Sequence, residues 1–392
     1  MNDLDRLMFR HFIYGRVNEY YMFKEYRLQP GQTYKEFRLN MAADYMGLGE
    51  KNHRVVNGFL NFLNYFESEI SVIITSVRFI KGVFKCIFTK HQSLYGKKVI
   101  LNVPFQKVKK LFNDAGIATQ TITVIESPFL KNDLFKLDFG KKVSLFSGLS
   151  INDAWRAYIL ACRMAFFIKE KYGNRDCIFR AYSSFDYFLA YKYFIRLDNS
   201  NTVYFPSIND RWTYLFGHIQ NRTVFLQHGG LNRHKVLFIM SKVGKADEAF
   251  YINEIQRDIC NRYMFTNIPK AHYFAKMEFT SNDKLLNNGK IDILLACELI
   301  YYETEEKIIK ELSVNQHVNL YVKPHPQNSI VKYEKLNEAY NFVMLGKTDF
   351  PKMDYMISYD STLVLEYQSN GVKTLMYEDP DYEVEYQKLL NL

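Results

Sequence analysis

From Lys97 onward short apolar runs alternate with amphipathic helices, and this alternation constrains the fold more than any other feature of the chain. "KKVILNVP", "TQTITVIESP", "CIFRAYSS", "NTVYFPS" and "RTVFLQHGG" have the continuous apolar character of strands buried on both faces. Between them lie the helical patterns "FQKVKKLFNDAG", "NDAWRAYILACRMAFFIKEKYG", with Asn152 or Asp153 as cap and Gly173 as stop, and a stretch from about Asp186 to Arg196. A second series begins near Lys290: "KIDILLACEL", helix "TEEKIIKELS", "VNLYVKPHP", a helix around Tyr333 to Tyr340, "YNFVML", "MDYMIS", helix "STLVLEYQSNG" and "KTLMYE". Strands that alternate with helices at this rhythm pair in parallel, because each crossover helix returns the chain to the same edge of the sheet. The expected class is therefore α/β, with two Rossmann-like domains facing each other. A length of 392 residues suits two such domains. The expected boundaries are a helical, basic N-terminal segment at 1–95, a first domain at 96–250 and a second at 251–392. The tyrosine-rich, charged stretch from about Ala246 to Lys290 is taken as the separator.

The five cysteines, Cys86, Cys162, Cys177, Cys260 and Cys297, are scattered and include no CxxC pair. That spacing favours neither a disulfide framework nor a zinc site. The start, "MNDLDRLMFRHF", lacks the basic and apolar regions of a signal peptide, so the expected location is cytoplasmic. No stretch reaches the roughly 18 uncharged apolar residues of a membrane span.

The net charge of +9 is concentrated: residues 51–110 hold eleven Lys or Arg against Glu67 and Glu69. Within this stretch "ESEISVIITSVRFIKGVFKCIF" has helical apolar spacing, with Arg78, Lys81 and Lys85 at i, i+3, i+7. Three interpretations follow. The helix packs on its domain by the apolar face and is solvated on the basic one; the basic face rests peripherally on an anionic membrane surface; or it lines a groove for an acidic polymer. No nucleic-acid partner is expected, since no binding motif accompanies the charge.

Three motifs at strand ends carry candidate chemistry. In "KPHP", Lys323 precedes His325, which is held between Pro324 and Pro326; the imidazole either fills a stiff corner or donates to a phosphate oxygen, with Lys323 adding charge. In "SYDSTLVLEYQSNG", Ser358, Ser361 and Thr362 stand where a helix begins and its free amides favour anions, with Glu366 one turn further on. Ser361 also suits an ordinary N-cap, and the two roles are compatible. In "QHGGLNRHK", His228 follows a strand, Gly229 and Gly230 leave room for a ligand, and Arg233 and Lys235 make the following segment basic. His228 is either a turn histidine or a general base, titrating near the working pH. Asp186 and Glu126 are further candidates for the base.

The pair "KPHP" and "SYDSTLVLEYQSNGVKTLMY" resembles the HP and Ser/Thr motifs of bacterial GT-B glycosyltransferases, a group that includes sialyltransferases, capsule polymerases and teichoic-acid-type polymerases. The resemblance covers Asn319 to Tyr377. It implies a GT-B fold in which His325, Pro326, Ser361 and Thr362 hold the phosphate of a nucleotide sugar, commonly a cytidine nucleotide, while Gly229, Gly230, Arg233 and Lys235 lie on the acceptor side. Where sialyltransferases carry two acids and a glycine, this chain has Gln227-His228-Gly229, closer to the His-Gly of polyol phosphate polymerases. The implied reaction is inverting transfer to a glycan or glycolipid acceptor of the bacterial surface, on the inner face of the membrane. It needs no metal and no cofactor; Asp379-Pro380-Asp381 is taken as a loop. The alternatives are a non-catalytic glycan or nucleotide-sugar binding protein of the same fold and a nucleotide-sugar epimerase.

Overall fold

Successive residues of Ile291–Ala296 (β8) point to opposite faces of a sheet: Ile293 and Leu295 enter one core, Leu294 and Ala296 another. The same division holds along Val318–Lys323 (β9), with Leu320 and Val322 on one side and Tyr321 on the other, and along Tyr355–Ser358 (β11), with Ile357 opposite Met356. A strand buried on both faces must be apolar throughout, which is why these segments stand out in the sequence. The structure, a computed structural model, describes residues 3–26, 65–101, 108–126, 139–172, 183–207, 211–231, 241–280, 286, 288–298, 301–325, 330–359, 361–377 and 379–391. The chain divides into two compact units, Met1–Tyr251 with Arg257–His272, and Ile252–Gln256 with Tyr273–Leu392. Each unit carries one parallel sheet, so the α/β class expected from the alternation is what the chain adopts.

The sheet of the second unit has five strands in the order β10-β9-β8-β11-β12, where β10 is Val343–Met344 and β12 is Lys373–Met376. Tyr302–Ser313 (α8), Ile330–Ala339 (α9) and Tyr382–Leu390 (α11) pack on one face through Ile309, Leu336 and Tyr386. Thr362–Ser369 (α10) covers the other through Val364 and Tyr367. The strand order reverses between β8 and β11, the place where open parallel sheets leave a crevice at their carboxyl edge.

The first unit holds seven strands in the order β3-β2-β1-β4-β5-β6-β7. Lys98–Leu101 (β1), Ile122–Glu126 (β2), Thr202–Ser207 (β4) and Arg222–Gln227 (β5) coincide with the apolar runs of the sequence. Lys142–Ser144 (β3), Glu248–Tyr251 (β6) and Lys270–Tyr273 (β7) have no counterpart among the expected strands. With Glu254–Tyr263 (α7), the strands β6 and β7 make residues 248–273 of the supposed separator an extension of the first sheet. The helices before β6 are Asp3–Tyr26 (α1), Glu67–Phe88 (α2), Val108–Asp114 (α3), Ile151–Tyr172 (α4), Ser184–Phe194 (α5) and Arg211–Phe216 (α6). Helix α1 enters the first core through Met8, Phe12 and Val17 and is tied to α5 by the Lys192–Asp5 ion pair at 2.8 Å. Helix α4 starts a residue earlier than Asn152: the Ser150 hydroxyl accepts from the Asp153 amide at 3.2 Å and the Asp153 carboxylate accepts from the Ser150 amide at 2.9 Å, a reciprocal capping box. Asp153 is thus the third helical residue and Ser150 the cap. Gly173 and most of "CIFRAYSS", as far as Tyr182, lie outside the described residues.

Helix α2 departs most from expectation. The side chains it buries are small or polar, Ser68, Ser71, Thr75 and Gly82, and the last approaches the Phe146 ring so closely that a Cβ there would lie 3.4 Å from it. Val72, Phe79 and Cys86 pack against the core, but most of its large apolar residues point outward: Ile73 is 63% exposed, Ile80 55% and Phe84 58%. The helix therefore does not pack by its apolar face. Nor does Arg78 share a solvated basic face with Lys81 and Lys85, because its guanidinium turns inward to Asp186 at 2.5 Å. No described helix is long and apolar enough to cross a membrane.

Candidate functional site

In the second unit all strands are parallel, so β8, β9 and β11 end on one edge. Strand β9 runs out at Lys323, and Pro324 and His325 follow directly, both half-buried. On the other side of β8, strand β11 ends at Ser358 and α10 begins at Thr362, with Ser361 as its N-cap; the Ser361 hydroxyl accepts from the Leu363 amide at 3.3 Å. Because β9 and β11 flank β8, the histidine segment and the helix start lie about two strand spacings, or roughly 10 Å, apart across the β8 end. Thr362 and Glu366 are half-buried on the first turns of α10. Pro326 lies outside the described residues.

Two expected phosphate contacts have other partners. The Lys323 ammonium donates to the carbonyls of Gly346 at 2.5 Å, Asp349 at 2.9 Å and Lys347 at 3.2 Å, and stands 4.3 Å over the Phe350 ring. Burial pulls its pKa down to about 8, with Asp349 opposing the shift. It holds the loop between β10 and β11. The Ser358 hydroxyl is fully buried and donates to the Ala296 carbonyl at 2.7 Å, fastening β11 to β8.

Other residues shape this edge without having been singled out in the sequence. The Glu305 carboxylate, fully buried on α8, accepts from the Glu298 amide at 2.5 Å and from the Tyr333 hydroxyl at 2.6 Å, fixing the chain that leaves β8. Burial raises its pKa, against the hydrogen bond from Tyr333. Tyr301 and Tyr359, following β8 and β11, lie with ring centroids 3.8 Å apart at a tilt of 33°, and Tyr377 after β12 meets Tyr301 edge-on at 6.1 Å. The signal for the aromatic wall is present, since β8, β11 and β12 are each followed by a tyrosine within a few residues; "TEEK", by contrast, reads as an ordinary acidic first turn.

In the first unit His228 follows β5 and is half-buried. The turn beneath it is fixed: the Gln227 side-chain amide donates to the Gly229 carbonyl at 3.0 Å, and Gly229 takes φ 94°, open to glycine at little cost. Gly230 is buried behind it, and Arg233 and Lys235 lie outside the described residues. Glu126 ends β2 and is half-buried, but β1 and β4 intervene between β2 and β5, so about 14 Å of sheet separates it from His228. The strand expected before Asp186 lies outside the described residues as far as Tyr182. Asp186 sits in the first turn of α5, 2% exposed, with Oδ2 on Arg78 and Oδ1 without a hydrogen-bond partner among the described residues. Burial raises its pKa to about 7, against the pull of Arg78 and Arg211. The structure gives Asp186 to the α2–α5 contact.

No family model and no curated protein matches the chain. Among solved structures it is similar to the wall teichoic acid polymerase TagF, in a histidine-to-asparagine variant soaked with CDPG. One such structure shares 11% identity over 85% of this chain and 81% of that one, at a TM-score of 0.34. A second shares 10% over 84% and 80%, also at 0.34. Overlap at that level carries no functional argument, which rests instead on the geometry of the strand ends.

Proposed function

We propose that the protein is a glycosyltransferase of GT-B type that takes a sugar from a cytidine-linked nucleotide donor and passes it to a surface-polysaccharide acceptor. The observation that carries this reading is the placement of His325 and the Ser361–Thr362 helix start on either side of β8, at the carboxyl edge where the strand order reverses. The amides of the first turn of α10 and the positive end of its dipole favour an anion, and an imidazole across the crevice supplies a further donor. In this scheme the second unit holds the nucleotide phosphate, and His228 is the general base. His228 takes the proton of the acceptor hydroxyl as that oxygen attacks the anomeric carbon from the face opposite the leaving group. The bond to the nucleotide phosphate breaks, and the departing charge is met by His325, Ser361 and Thr362. Such stabilisation of developing charge is the largest catalytic contribution to expect, and loss of one donor costs about 100-fold or more. The scheme asks for no metal, so turnover should persist in EDTA.

The test is a thermal-shift panel of CMP, CDP, UDP and GDP, since a ligand that binds the folded state raises the melting temperature by mass action. CMP or CDP should stabilise the wild type and do so less in His325→Ala, while His228→Ala keeps the shift and loses turnover. No shift with any of the four refutes the reading.

A further inference from the structure

The six large apolar residues on the outer face of α2, Ile73, Val77, Ile80, Phe84, Ile87 and Phe88, are each about half exposed or more. At 100° per residue they occupy an arc of about 100°, running roughly 20 Å along the helix. The inner face carries the small and hydroxylated Ser68, Ser71, Thr75 and Gly82, with Val72, Phe79 and Cys86 packed on the core beside them, so most of the large apolar surface of the helix lies on the outer side, against the usual arrangement of a surface helix. A face of this kind in water is unfavourable by the area it exposes, and continuous apolar strips of such length mark contact sites.

Charge narrows the occupant. Among the described side chains of α2, Glu69 is paired with Lys169 and Arg78 with Asp186, which leaves Lys81 and Lys85 as its exposed charges, both along one border of the stripe. Trp155 of α4 flanks the other border, half exposed and 5.6 Å from the Phe79 ring. A second copy laid across the stripe by a two-fold axis would cross near its midpoint, Ile80, and bring Lys81 towards its own equivalent, a like-charge contact that works against association. A bilayer with anionic headgroups meets all three features: apolar side chains enter the acyl boundary, lysines reach back to phosphates, and an indole sits at the interface. We infer that α2 is an interfacial membrane-docking helix that seats the first unit on an anionic lipid surface by its apolar face. The inference stands apart from the proposed enzymatic activity and survives if that activity is wrong.

The full chain is mixed with vesicles of phosphatidylcholine alone or with phosphatidylglycerol added, and floated on a density gradient. Wild type should float with the anionic vesicles, and Ile80→Asp with Phe84→Asp should stay behind with an unchanged circular dichroism spectrum. Replacing Lys81 and Lys85 by Gln should weaken partition to anionic vesicles roughly 30-fold. Should the Asp variants fail to fold, brominated lipid in the wild type gives an independent reading. Only two tryptophans are present, and Trp212 is buried, so quenching should be lost in Trp155→Phe. Wild type that remains free of both vesicle types, or Asp variants that float as well as wild type, overturns the inference. So does a wild-type dimer that binds no lipid and becomes monomeric in the Asp variants.

Discussion

Arg78→Met tests whether Asp186 is a structural acid. The wild-type pair is 2.5 Å apart with the carboxylate side chain 3% exposed, so removing the guanidinium strands a buried charge. Breaking such a pair from one side costs about 3–5 kcal/mol. Protonation caps the loss, because Asp186 already has a pKa near 7, raised by burial from the ordinary 3.8. At neutral pH the acid can take up a proton, and the expected cost is at the lower end, about 3 kcal/mol. A folded pKa raised by about three units makes stability greatest below about pH 4 and lowers it as pH rises through 7, by about 4 kcal/mol in all.

The assay is guanidinium unfolding of wild type, Arg78→Met, Asp186→Asn and the double variant between pH 4 and 9. Subtracting the Asp186→Asn curve from wild type should isolate the fall between pH 4 and 7. In Arg78→Met the fall should continue above pH 7, since the charge that held the pKa down is gone. The double variant should recover most of the loss, as neutral pairs of similar shape do. A loss below about 1 kcal/mol at pH 8, or strictly additive variants, would refute the buried-pair argument. Full fold with abolished turnover in Asp186→Asn would return this residue to the candidate bases.

Lys323→Met should cost the second unit about 2 kcal/mol, because three charge-assisted bonds to loop carbonyls are lost and the loop regains water only in part. Unfolding and the nucleotide-induced thermal shift, measured side by side, decide its role: unchanged stability with weakened nucleotide binding would make Lys323 a phosphate ligand after all. Ser361→Gly separates cap from ligand, since glycine caps a helix within a few tenths of a kcal/mol of serine but offers no hydroxyl. Stability should hold while the CMP or CDP shift shrinks; an undiminished shift removes the Ser361 hydroxyl from the site.

The strands legible in the sequence are mainly those buried on both faces, with the edge strands β10 and β12 of the second sheet found besides. β1, β2, β4, β5, β8, β9 and β11 carry runs of Val, Ile, Leu and Phe because few of their positions face water. β3 and β7 form the two edges of the seven-stranded sheet, and β7 next to β6 is mostly exposed, so "KVS" and "KAHY" have no apolar run to announce them. At the candidate site, position along the chain is legible and side-chain direction is not. His325 and Ser361 lie at strand and helix ends because backbone periodicity dictates it. The partners of Lys323 and Asp186 are not legible because they come from afar: Gly346 to Asp349 are more than twenty residues downstream of Lys323, and Arg78 is 108 residues before Asp186. The Ser150 cap is within reach of the sequence, since Ser-x-x-Asp before a helical pattern is a local rule.

Helix α2 shows why periodicity alone does not settle orientation. A stripe of Ile73, Val77, Ile80 and Phe84 opposite Ser71, Thr75 and Gly82 has the same helical period whichever side faces the core. In water the apolar side turns inward, and that rule underlies the expectation of a helix solvated on its basic face. What decides here is the space available: Gly82 lies against Phe146 and Phe185, where a larger residue would meet aromatic rings, and Arg78 must reach a buried carboxylate. Both demands place the small, polar side inward, beside Val72 and Phe79, and leave most of the large residues outside. An apolar face in water is unfavourable by the area it exposes, and among the described residues nothing covers this stripe, which is why its occupant is the question that vesicle flotation and the oligomeric state are chosen to answer.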